Sequence, residues 1–125
     1  MSYSTDVQIL AEDPNATKYL PTGETTFTRI RGIIEGRIND YLRRCSPPIE
    51  PGDLSDTTQL KNAEVYGVLA ELLFKSASKP GKENADWYTQ EAIRYQDMME
   101  AEIEGPLDTK NDTVRRVGGI RLRRC

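Results

Sequence analysis

From Phe27 the apolar residues fall at Ile30, Ile34, Ile38, Tyr41, Leu42 and Cys45, spacings that place them on one face of a helix. Asp56 with Gln59 forms a capping-box pair ahead of Leu60, Ala63, Tyr66, Val68, Leu69, Leu72, Leu73 and Phe74. The apolar face of that segment is wider than one stripe, which predicts a central helix touching several neighbours. Asn84 is placed to cap a further helix running to Glu104, with Trp87 or Tyr88, Ala92, Tyr95, Met98 or Met99, and Ile103 on one side. These aromatics and methionines read as core. Glu91, Arg94, Asp97, Glu100 and Glu104 lie elsewhere on it, so the helix is amphipathic. Near the start, Ser4-Thr5-Asp6 ahead of Val7, Ile9 and Leu10 predicts a short capped helix that closes before Asp13-Pro14-Asn15.

Proline and glycine punctuate this pattern. Residues 14 to 24 hold Pro14, Pro21 and Gly23 without a sustained period and read as a loop, after which Thr25 or Thr26 would cap the Phe27 helix. Pro47-Pro48, Pro51-Gly52, Lys79-Pro80-Gly81-Lys82 and Gly105-Pro106 break the remaining segments. The expected fold is all-α: a small bundle of about four helices over residues 1–105, followed by an extended C-terminal arm over residues 106–125.

The arm departs from the rest in charge. It holds six of the chain's 17 basic residues (Lys110, Arg115, Arg116, Arg121, Arg123 and Arg124) but only two of its 20 acids, Asp108 and Asp112. Its apolar residues, Val114, Val117, Ile120 and Leu122, are too few to form a core and are interrupted by Gly118-Gly119. Three readings compete. The arginines could neutralise phosphates, although aromatics for base stacking are missing. The alternation Ile120-Arg121-Leu122-Arg123 suits an edge strand added to a protein partner. A solvated tail is the third.

Composition removes several function classes. The chain has no histidine and only two cysteines, so Ser-His and Cys-His nucleophile pairs and a thiolate zinc site within one chain are excluded. No GxGxxG or P-loop pattern occurs. Glu100, Glu102 and Glu104 alternate around a helix rather than converging, which reads as a solvated acidic face. No catalysis, metal or cofactor is expected. No apolar run reaches the length of a membrane span, and the opening Met-Ser-Tyr-Ser-Thr-Asp has neither a basic leader nor an apolar stretch, so synthesis in a cytosol is expected. Asn15-Ala-Thr and Asn111-Asp-Thr then read as chance matches to the glycosylation pattern.

Gly32 and Gly36 are four apart within the Phe27 helix. Each weakens it by about 1 kcal/mol relative to alanine, and together they make a smooth strip for close backbone approach. That approach could be core packing within one subunit or a contact between subunits.

The whole pattern resembles the head-tail connector (adaptor, head-completion) proteins of long-tailed bacteriophages. The resemblance runs through the Ser4-Thr5-Asp6-Val7 helix, the Ile38-Asn39-Asp40-Tyr41-Leu42 ending with Pro47-Pro48 after it, and Leu60, Ala63, Tyr66 and Leu69. It continues through Tyr88, Ala92-Ile93 and Gly105. It implies a virion protein, made in the host cytoplasm, that forms a homo-oligomeric ring of about twelve copies. Such a ring sits between the portal protein and a tail-side neck or tail-terminator protein, and DNA passes through it without specific binding. It further implies that the arm, Val114, Arg115, Arg116, Val117, Ile120, Arg121, Leu122, Arg123 and Arg124, docks on the portal. In that setting Cys45 and Cys125, reduced by default in a cytosol, are candidates for an inter-subunit disulfide once the particle is released.

Overall fold

The computed structural model describes residues 3–45, 48–50, 52, 54, 57–78 and 84–104, with the Glu104 side chain excepted. Four α-helices account for most of them: α1 (Asp6–Glu12), α2 (Thr28–Arg43), α3 (Thr58–Ala77) and α4 (Ala85–Glu104), with a single 3-10 turn at Ala16–Tyr19 between the first two. The predicted all-α bundle of four helices is what forms. The arm, residues 106–125, and Gly105 lie outside the described residues. Among the described residues no helix is long and apolar enough to cross a membrane.

α3 is the hub. Leu60, Ala63, Val68, Leu69, Leu72 and Leu73 have essentially no exposed surface, and α1, α2, α4 and the 3-10 turn all pack on this helix. Covering it on several sides satisfies the wide apolar face that the sequence predicts. α2 contributes Ile30, Ile34, Ile38 and Leu42, and α4 contributes Ala92, Tyr95 and Ile103. Side chains from α2 and α4 both press on α3 at Gly67. A Cβ built there would lie 2.8 Å from Ile34 Cγ2 and 2.8 Å from Met99 Sδ, so only glycine lets α2 and α4 converge on α3 at this level.

The helix starts differ from the sequence expectation in two places, α2 and α3. α1 is capped as expected, Thr5 Oγ1 accepting from Gln8 N and Gln8 Oε1 accepting from Thr5 N. α2 begins at Thr28 with Phe27 as N-cap and no side-chain cap of its own; neither Thr25 nor Thr26 fills that role, and Asp6 Oδ2 in α1 instead accepts from Phe27 N at 3.4 Å. α3 starts after Thr57, also without a side-chain cap. Asp56 lies outside the described residues, and the Gln59 amide reaches across to donate to the Glu102 carbonyl, tying the start of α3 to the end of α4. At α2 a residue of another helix thus meets the Phe27 N–H, while at α3 Gln59 satisfies a carbonyl at the C-terminal end of α4 rather than capping its own helix. The loop expected over 14 to 24 contains the 3-10 turn, because Ala16 and Tyr19 are buried and anchor it. Before α4, Asn84 adopts a left-handed φ of 62° and its carbonyl accepts from Tyr88 N at 3.1 Å.

Candidate interaction surface

Among the described residues no group of three or more His, Cys, Asp or Glu side chains could hold a metal ion, and the features of interest are a buried anchor on the inner side of α2 and a face on its outer side that the described residues leave uncovered. The anchor is built on Glu64. This side chain lies midway along α3 with no exposed surface, and its carboxylate accepts from Ser4 N at 2.6 Å, from Tyr3 N at 3.4 Å, and from the Ser4 hydroxyl. Burial pushes the Glu64 carboxyl above the ordinary range, while the Ser4 and Tyr3 hydrogen bonds pull it partly back.

The segment leading to α1 is then tied to α2. Arg31 Nη1 donates to the Ser4 carbonyl at 2.6 Å. Its Nε faces Asp6 Oδ1 at 2.9 Å, an ion pair without hydrogen-bond alignment. The Tyr3 hydroxyl donates to Asn39 Oδ1, and burial with the nearby Glu35 and Glu64 charges pushes that phenol up to about 12. Residues 3 to 6 thus bridge α2 and α3. The sequence reading passed over Glu64, although a carboxylate four residues from both Leu60 and Val68, on an otherwise apolar face, is the signal that could have found it.

This anchoring fixes which way α2 turns outward. Arg29, Gly32, Ile33, Gly36, Asp40 and Arg43 are exposed along one side. Among the described residues, a Cβ added at Gly32 or at Gly36 would meet nothing within 4 Å, so the described bundle does not use this glycine pair for close packing. Ile33, between them, keeps 38% of its surface exposed. Neither glycine is used where the chain approaches itself closely; Gly67, which the sequence reading did not single out, has that task.

The outer side of α4 is also uncovered. Asp86, Gln90, Ile93, Asp97 and Glu100 share it at helical spacing, and Ile93 is 47% exposed. Trp87, expected as a core alternative to Tyr88, is instead 49% exposed. It packs edge-on against Tyr88 at 5.1 Å, and Tyr88 makes the inward contact with Tyr19 at 5.9 Å. Between α2 and α4 runs a groove of about 450 Å³ floored by Ile34, Gly67, Phe74 and Met99 and edged by Arg37 and Glu100.

Cys45, after the end of α2, is buried, with its Sγ 3.5 Å from the Tyr41 carbonyl. Cys125 and the arm residues Val114, Arg115, Arg116, Val117, Ile120, Arg121, Leu122, Arg123 and Arg124 lie outside the described residues. No protein-family model, no curated protein and no solved structure matches this chain.

Proposed function

We propose that this chain is a structural protein of the bacteriophage neck, without enzymatic activity. It forms a ring that joins the portal of the DNA-filled head to the tail and extends the DNA channel, and its C-terminal arm docks on the portal. The observation that carries this reading is the outer face of α2. Two glycines there each cost the helix about 1 kcal/mol, yet neither serves packing among the described residues. With the exposed Ile33 between them, they leave a smooth apolar strip on which a second backbone can lie. Such a strip is what a subunit that acts by association requires. The sequence resemblance to connector proteins supplies the identity of the assembly.

Negative-stain microscopy and mass photometry of the purified full chain test this, with rings around an open centre expected. A filter-binding assay with duplex DNA across a salt series separates it from the nucleic-acid reading of the arm. Weak binding, indifferent to deletion of residues 110–125, is expected. Tight, salt-dependent binding lost on that deletion would sink the proposal in favour of a nucleic-acid-binding tail.

A further inference from the structure

We infer that the ring is built by one contact repeated head to tail, the outer face of α2 on one copy lying against the outer face of α4 on the next. This rests on the ring reading above and names the two surfaces that meet. The two helices differ sharply in charge. α2 with its C-cap carries Arg29, Arg31, Arg37, Arg43 and Arg44 against Glu35 and Asp40. α4 carries Asp86, Glu91, Asp97, Glu100, Glu102 and Glu104 against Arg94. The contrast holds in net terms on the outer faces, where Arg29 and Arg43 outnumber Asp40 on the first, with Arg37 and Arg44 exposed at its flank, and where Asp86, Asp97 and Glu100 line the second, with Arg94 the exposed base of α4. Several of these arginines already have partners, Glu24 for Arg29, Glu71 for Arg37 and Asp40 for Arg43. Exposed pairs of this kind contribute at most about 1 kcal/mol each, so they can be exchanged for partners across an interface.

Charge decides between the possible pairings. A symmetric contact of α2 on α2 sets two net-positive faces together, and α4 on α4 two net-negative ones; only α2 on α4 joins faces of opposite net sign. Each stripe also has an exposed isoleucine near its middle, Ile33 and Ile93, and the glycines flanking Ile33 let the α4 side chains approach the α2 backbone. A contact between two different faces of one subunit propagates and closes into a ring when its rotation permits, whereas a symmetric contact stops at a dimer.

Ile33→Asp and Ile93→Asp test this, because both side chains are exposed and their replacement leaves the core intact; helical circular dichroism and an unchanged thermal transition confirm folding. By mass photometry or native mass spectrometry each variant alone is expected at the monomer mass of 14.1 kDa. An equimolar mixture is expected at twice that mass, since the intact α4 face of one variant meets the intact α2 face of the other and growth then stops. A wild-type ring that survives either substitution, or a mixture that remains monomeric, overturns the pairing and leaves the ring standing. Wild-type protein that stays monomeric at about 1 mM, where even a contact of about 4 kcal/mol is half formed, removes the ring and the pairing together.

Discussion

The backbone N–H of Ser4 donates to Glu64 Oε2 at 2.6 Å, across 60 positions of sequence, and this bond fixes the segment before α1 to the middle of the central helix. Removing the carboxylate leaves the Ser4 and Tyr3 N–H groups without their acceptor in a buried position. Glu64→Ala is therefore expected to cost about 1–3 kcal/mol, read as a lower urea midpoint at unchanged slope.

Glu64 also gives the protein a characteristic pH response. Its carboxyl is raised in the folded state by burial, so the folded chain holds that proton more tightly than the unfolded chain, whose glutamates titrate near about 4.3. Below that value both states are protonated and the group imposes no penalty. As pH rises from there through the folded value, stability is lost. The stability of wild type relative to Glu64→Gln should thus fall as pH rises from about 4, measured by denaturation at a series of pH values. A relative stability that instead climbs over this range would contradict the assignment.

Tyrosine ionisation should follow unfolding at high pH. Tyr3, Tyr19, Tyr66 and Tyr95 are all raised, with burial the first cause in each, whereas unfolded tyrosines titrate near about 10. Stability contributed by the protonated phenols is present below that value and is lost as pH climbs above it. Tyrosinate absorbance in the native protein is expected to rise later and more steeply than in denaturant, together with loss of helical circular dichroism.

Two alanine substitutions should act in opposite directions. Gly36→Ala adds a methyl group where nothing lies within 4 Å and should stabilise the isolated subunit by about 0.5–1 kcal/mol. Gly67→Ala forces its Cβ to within 2.8 Å of Ile34 Cγ2 and Met99 Sδ, and the branched Ile34 side chain has little freedom to yield. A loss of about 1–3 kcal/mol is expected from this overpacking. Thermal denaturation of both variants, under conditions where the protein is monomeric, reads the two signs.

Most of the helix positions were legible in the sequence. Ile30, Ile34, Ile38 and Leu42 mark the buried side of α2 by spacing alone, and the breadth of the Leu60 to Phe74 run marks α3 as central, because both follow from a single helix and its local period. The starts of α2 and α3 were not legible. The Phe27 N–H ahead of α2 is met by Asp6 of α1, and Gln59 donates to the Glu102 carbonyl of α4 instead of closing a local capping box; bonds to distant segments leave no local pattern.

The same division holds for the interaction surface. By itself the sequence determined that Gly32 and Gly36 lie four apart on one helix, that α4 is amphipathic with an acidic end, and that histidine-based catalysis is excluded; all of these are matters of residue type and helical register. Only the tertiary structure decided that the glycine pair at 32 and 36 faces solvent while Gly67 makes the close internal approach, that Glu64 is buried and paired with Ser4, and that Ile33 and Ile93 remain uncovered. Spacing gives a residue its angle around its own helix, but exposure depends on which neighbouring helix covers that angle, and that is settled by contacts between residues far apart in the chain.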